Sequence, residues 1–198
     1  MKKVHIIWAH PRKDSFTART FEAVNKEVIN KGFLVSDWEA YSSDFNPVLQ
    51  TDDEPDWLNY EKKYNLESEA LANELRDKDY LIFVFPIWWY SLPAILKGYV
   101  DRVWNYGVFY GDRQIHKLPV KAVRWIGLIG SDKAHIQKRD YDRYMDQYFN
   151  IGLAGYCGVN DSKLELLYDT IGEGIIDKEN HYNKLIEQAV QVIRDLPN

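Results

Sequence analysis

At 198 residues the chain has the length of one ordinary domain, and its 45% hydrophobic and 28% charged content excludes disorder, collagen-like repeats and a disulfide scaffold. Lysine and arginine number 25 against 30 aspartates and glutamates, and the net charge of −5 excludes the basic footprint of nucleic-acid or anionic-membrane binding. The single cysteine, Cys157, cannot form an intrachain disulfide, and its small apolar neighbours predict a buried structural thiol in a reducing compartment.

Val4 to Ala9 is a short apolar run that reads as a buried parallel strand. It ends at His10-Pro11, too short for a secretory leader, and no segment reaches the roughly 18 apolar residues of a membrane span. The expectation is a soluble, cytoplasmic protein. The loop His10 to Ser15 offers Asp14 or Ser15 as a helix N-cap. Phe21, Val24 and Val28, spaced by three and four, predict a helix that stops at Lys31-Gly32. Phe33 to Val35 restarts as a strand and completes a βαβ unit. Residues 40–64 are irregular, with Pro47 and Pro55, and the acidic stretch Thr51 to Glu54 reads as a solvated surface loop.

Leu71 and Leu75 mark a helix over Leu66 to Asp77, and Tyr80 to Phe85 is the strongest strand, closed by Pro86. Pro93 opens the clearest helix, with an apolar stripe at Leu96, Tyr99, Val100, Val103 and Trp104. After a loop from Asn105 to Pro119, Val120 to Ile129 predicts a strand and Tyr141 to Leu153 a helix. Leu164 to Tyr168 reads as a fifth strand, and the stripe Tyr182, Leu185, Ile186, Ala189, Val190, Ile193 as the last helix. Five strands alternating with helices imply an α/β fold with a doubly wound parallel sheet, helices on both faces and the flavodoxin-like strand order 2-1-3-4-5. No repeat, low-complexity tract or linker interrupts residues 1–198, which read as a single domain.

In such a sheet ligands bind beyond the carboxyl ends of the strands, which singles out the loops after strands 1, 3 and 4. No glycine-rich dinucleotide fingerprint or P-loop follows strand 1. His10, Ser15 and Thr17, with Arg12 and Lys13, stand instead where a helix opens, as a phosphate site does; an ordinary capped βα loop reads equally well. After strand 3, Pro86-Ile87-Trp88-Trp89-Tyr90-Ser91-Leu92-Pro93 puts three large aromatics on a loop, where a flat ring could stack on them or the following helix could bury some of them. After strand 4, Gly127-Leu128-Ile129-Gly130 permits close backbone approach to a ligand, and a simple turn serves as well. His5, His116 and His181 carry no metal-ligand spacing, so no metal is expected.

Taken together these stretches resemble the NAD(P)H:quinone oxidoreductases, the group that includes DT-diaphorase, the modulator of drug activity B and the ancillary subunits of potassium efflux systems. The resemblance rests on His10-Pro11, Ser15-Phe16-Thr17, Phe45-Asn46-Pro47 and, most specifically, the run from Phe85 through Val103. It implies a flavin, FAD ahead of FMN, with NADPH or NADH as co-substrate and a quinone as acceptor. His10, Phe16 and Thr17, beside Ser15, would then hold the flavin phosphate and ribityl end. Pro86, Ile87, Trp88 and Trp89 would line the isoalloxazine, and Gly127, Leu128, Ile129 and Gly130 would meet its polar edge. Tyr110 would cover the substrate face, in several members from a partner subunit. His135 and Tyr141 stand near where the family keeps a tyrosine and a histidine that assist hydride transfer, although Ser131-Asp132-Lys133-Ala134 departs from the family's glycine- and serine-rich stretch. The expected function is two-electron transfer from NAD(P)H to a quinone, ping-pong, by a homodimer. The alternatives are a cytosolic regulatory subunit docked on a potassium efflux transporter and, further off, a flavodoxin-type electron carrier.

Overall fold

The computed structural model describes residues 1–111 and 117–198; His116 lies outside the described residues. Five parallel strands, β1 (Lys3–Trp8), β2 (Leu34–Glu39), β3 (Tyr80–Pro86), β4 (Ala122–Leu128) and β5 (Asp161–Leu167), form one sheet in the order β2-β1-β3-β4-β5. The sequence order 2-1-3-4-5 is the order observed. The inner strands β3 and β4 are buried at every residue, because helices cover both faces. On one face, α1 (Phe16–Asn30) and α6 (Lys178–Arg194) bury Val24, Val28, Ala189 and Ile193 against Val4, Ile6 and Ile82. On the other, α2 (Leu66–Leu75) and α3 (Ala94–Val103) enclose a larger core in which Phe83 stacks on Trp125 with ring centroids 4.4 Å apart.

Between β4 and β5 run α4 (Lys133–Gln137), α5 (Tyr141–Asp146) and a nine-residue π-helix, Gln147–Gly155. The sequence periodicity predicts one helix from Tyr141 to Leu153, and the chain instead widens its turn after Asp146. Phe149 and Ala154, five residues apart, are the buried pair of that segment, so the five-residue spacing brings both to the core. Phe149 reaches Trp125 at 5.2 Å and Phe85 at 5.5 Å.

The acidic stretch Thr51 to Glu54 is not a solvated loop throughout. Asp53 is completely buried, and its Oδ2 accepts hydrogen bonds from Arg102 Nε at 2.6 Å and from Ser68 Oγ at 3.0 Å. Its Oδ1 accepts from the Asn65 amide, and Asn105 Nδ2 donates to its carbonyl. Arg102, itself 3% exposed, also pairs with Glu67, donates to the Asn46 carbonyl and lies over the Phe45 ring at 4.7 Å. Gly98, one turn earlier on α3, leaves no room for a Cβ against the Pro47 backbone. The Phe45-Asn46-Pro47 and Gly98–Arg102 stretches of the sequence therefore meet, and they clamp the irregular excursion onto α3.

Candidate functional site

The loops at the carboxyl ends of β1, β3, β4 and β5 converge on one edge of the sheet. At the end of β1, Ser15 is the observed N-cap of α1, its Oγ accepting from the Ala18 amide at 3.1 Å. The amides of Phe16 and Thr17 and the hydroxyl of Thr17, a residue 97% buried, have no hydrogen-bond partner among the described residues. His10 Nδ1 is engaged by the Arg12 backbone, 3.0 Å from its amide and 3.2 Å from its carbonyl, and Nε2 has no partner among the described residues. Two free first-turn amides, a hydroxyl and an imidazole nitrogen make a set that fits a phosphate. Arg12 and Lys13 add little charge to it, since Arg12 is paired with Asp14 and Lys13 with Glu39.

β3 ends at Pro86, and the Ile87 amide donates to the Leu128 carbonyl at 2.7 Å, tying the loop to β4. Trp88 and Ser91 then exchange backbone hydrogen bonds of 3.3 and 3.1 Å around Trp89 and Tyr90, whose φ values are +52° and +57°. Two consecutive left-handed residues make the two-residue turn that usually takes Asn-Gly. Here two of the bulkiest side chains occupy it, at about 1–2 kcal/mol of strain each. The result is that Trp89 stands 94% exposed and Trp88 41% exposed. Trp88 lies 6.3 Å from His10 between ring centroids, so the aromatic turn and the α1 entrance are neighbours. Tyr90 stacks on Tyr141 at 4.0 Å, and burial together with that neighbour raises the Tyr90 phenol above its usual pKa.

A cavity of about 660 Å³ opens between this turn, the end of β4 and the β5–α6 loop. Of the residues expected from sequence, Ile87, Trp89, Ile129, Gly130 and His135 line it, and Pro86 and Trp88 do not. Nor do Gly127 and Leu128: they sit inside β4, where Gly127 lacks a Cβ because the Ile87 side chain fills that space. Tyr141 backs the wall through Tyr90 rather than lining it. Tyr110 is away from this cavity, packed 5.3 Å from Tyr156 and 6.3 Å from Trp57, where burial pushes its pKa up to about 12. The His135 amide donates to Asp132 Oδ1, the α4 N-cap, at 2.8 Å, and the His135 Nε2 lies 3.3 Å from Arg139 Nη1, which can only donate. The proton of the neutral His135 ring is therefore on Nδ1.

The β5–α6 loop was not among the loops singled out from sequence, yet Asp169, Ile171 and Glu173 line the same cavity. The Asp169 and Thr170 amides donate to the Ser131 and Ile129 carbonyls, and Ile171 leans over Gly130, where a Cβ would lie 2.7 Å from its Cδ1. Tyr182, packed on Phe16 at 4.8 Å, donates to the Ile171 carbonyl. This joins the cavity to the α1 entrance. The available signal was Gly172 and Gly174, both at positive φ, in a loop following an inferred strand. Cys157 is buried, and burial pushes its thiol up to about 12, as its apolar neighbours lead one to expect.

No helix among the described residues is long and apolar enough to cross a membrane. The sequence profile of the flavodoxin-like fold family matches residues 2–193. The "Uncharacterized NAD(P)H oxidoreductase YcaK" of Escherichia coli (strain K12) is 37% identical over 195 residues, covering 98% of this chain and 96% of that protein. Among solved structures, an NAD(P)H:quinone oxidoreductase from Methanothermobacter marburgensis superposes with a TM-score of 0.84 at 22% identity, over 99% of this chain and 96% of that one. An FMN-dependent NADH-azoreductase from Bacillus anthracis str. Ames Ancestor, solved in complex with FMN, superposes at 0.69 with 14% identity over the whole of both chains. The chain belongs to the flavodoxin-like family, among its NAD(P)H oxidoreductases.

Proposed function

We propose that the protein is a flavin-dependent NAD(P)H:quinone oxidoreductase acting as a homodimer, with FAD favoured over FMN. The observation that carries this reading is the junction of an unclaimed phosphate-type donor set at the start of α1 with an aromatic-walled cavity one loop away. His10 Nε2, the Phe16 and Thr17 amides and the Thr17 hydroxyl would hold the flavin phosphate. Ile87, Trp88, Trp89, Ile129 and Gly130 would border its ring. Bound there, a flavin supplies two-electron hydride chemistry between a nicotinamide and a quinone. The chain supplies orientation, and His135 holds a proton on Nδ1 that can meet charge developing on an acceptor oxygen. One cavity serves both ring substrates, so they take turns. Double-reciprocal plots against nucleotide at several fixed quinone concentrations should be parallel, and intersecting lines would end the single-cavity reading.

A second copy is supported by Tyr110, which reaches no part of its own chain's cavity, and by exposed apolar side chains nearby on the excursion, Trp57 at 63% and Leu58 at 96%. Symmetric pairing would cover them and bring Tyr110 to the opposite site. Sedimentation should give twice the chain's 23.4 kDa. The decisive test of the whole reading is a visible spectrum of the purified protein and the mass of the flavin released by heat. A colourless protein that takes up neither FAD nor FMN would overturn it. His10→Ala and Thr17→Ala should each weaken flavin retention without unfolding the chain.

A further inference from the structure

The wall of the cavity is unusual in charge as well as in shape. Three carboxylates line it, Asp132, Asp169 and Glu173, and no lysine or arginine does among the described residues. Asp132 caps α4 through the His135 amide, whereas the Asp169 and Glu173 side chains have no partner among the described residues. Of the cations near this sheet edge, Arg12 pairs with Asp14, Lys13 with Glu39 and Arg19 with Glu179, whereas Arg139 stands against His135 and Lys178 packs on Gly172, both behind the cavity wall rather than lining it. Into the same cavity the strained turn projects Trp89, an indole with its face to solvent. An exposed indole is the side chain best suited to a cation over its ring, and it stands here beside carboxylates that hold no ion pair among the described residues. The chain holds this indole out at a backbone cost that a glycine turn would avoid.

We infer that the cavity selects its electron acceptor by charge, taking flat aromatic acceptors that carry a positive group in preference to anionic ones of the same size. This rests on the proposed oxidoreductase reading and names its substrate class. In the overall step, the C4–H bond of the dihydronicotinamide breaks with its electron pair and the nucleotide is oxidised. The quinone gains that hydride equivalent and one proton from water and is reduced to the hydroquinone. The cationic substituent is not consumed. It serves only in binding, over Trp89 and toward Asp169 and Glu173.

The test uses the flavin-loaded protein and three naphthoquinones: one bearing a sulfonate, one unsubstituted and one bearing a quaternary ammonium group. At low salt, kcat/KM should rise in that order by about fivefold per unit of charge, and the steps should shrink toward unity at about 1 M salt, where the Debye length is about 3 Å. The double variant Asp169→Asn, Glu173→Gln should flatten the series at low salt while leaving the unsubstituted quinone within about twofold. Trp89→Leu should lower the cationic acceptor about three- to fivefold more than it lowers the unsubstituted one. A sulfonated quinone reduced as well as the cationic one at low salt, or a series insensitive to salt and to the double variant, overturns the inference and leaves the oxidoreductase reading standing. If none of the three is reduced with either nucleotide, the oxidoreductase reading itself has failed.

Discussion

Asp53 and Glu173 carry the same charge in opposite circumstances. Asp53 sits at zero exposure with both oxygens and its carbonyl claimed by Arg102, Ser68, Asn65 and Asn105. Glu173, with Asp169, borders an open cavity and holds no side-chain partner among the described residues. A buried carboxylate that is fully partnered fixes the chain around it, since desolvation makes any vacancy expensive. An exposed one contributes almost nothing to folding and keeps its field for what approaches. The first region builds the frame around α3, and the second is left to act at the site.

The contrast is broken most severely by Asp53→Ala, which strands the Arg102 guanidinium in the interior and should cost about 3–5 kcal/mol. Urea denaturation reads this directly, and a loss below about 1 kcal/mol would mean that the clamp is slack. A smaller disturbance of the same clamp is Gly98→Ala. Its new Cβ meets the Pro47 backbone, and about 2–3 kcal/mol should be lost, with the excursion becoming more sensitive to protease.

A comparable effect comes from His5, buried beside Ser36, where burial with Lys78 nearby pulls its pKa down to about 4. Its folded pKa lies below the ordinary 6.5, so the unfolded chain takes up the proton first as pH falls. The neutral ring's stabilisation is complete above pH 6.5 and is lost progressively down to about pH 4, a span of about 3 kcal/mol. His5→Gln should show a shallower stability slope across that window, and an unchanged slope would assign the acid loss to other groups. At the opposite extreme, Glu173→Gln should alter stability by less than about 0.5 kcal/mol. Trp89→Gly should not destabilise the protein, because it relieves a left-handed tryptophan, yet it should weaken acceptor use.

Much of this frame was legible in the sequence. The alternation of apolar runs with amphipathic segments gives the five strands and their order, because a buried parallel strand and a two-faced helix each leave a local signature at Tyr80 to Phe85 and at Leu96 to Val103. Local chemistry also narrowed the α1 cap to Asp14 or Ser15, and Ser15 fills it. Asp53 was misread because its partner Arg102 is 49 positions away, and a pairing at that distance leaves no local pattern. The π-helix was hidden for a related reason: the widened turn answers to Trp125 and Phe85, on other elements. At the site, the aromatic run after β3 announced itself by composition. Asp169, Ile171 and Glu173 did not, since they follow an edge strand and only tertiary contacts with Ser131, Ile129 and Tyr182 fold their loop back over the cavity.

The strand order leaves β2 and β5 at the two margins of the sheet, each with one side of its backbone unpaired. A bare margin is a template on which another chain can lay a strand, the usual beginning of aggregation. Here both margins are studded with ionic side chains, Asp37 and Glu39 on β2 and Asp161, Lys163 and Glu165 on β5, and neither strand exceeds seven residues. An incoming strand would have to strip water from these groups to pair with the margin. Copies of this protein are thereby steered away from strand-to-strand growth, and any contact between them falls to side chains elsewhere on the surface.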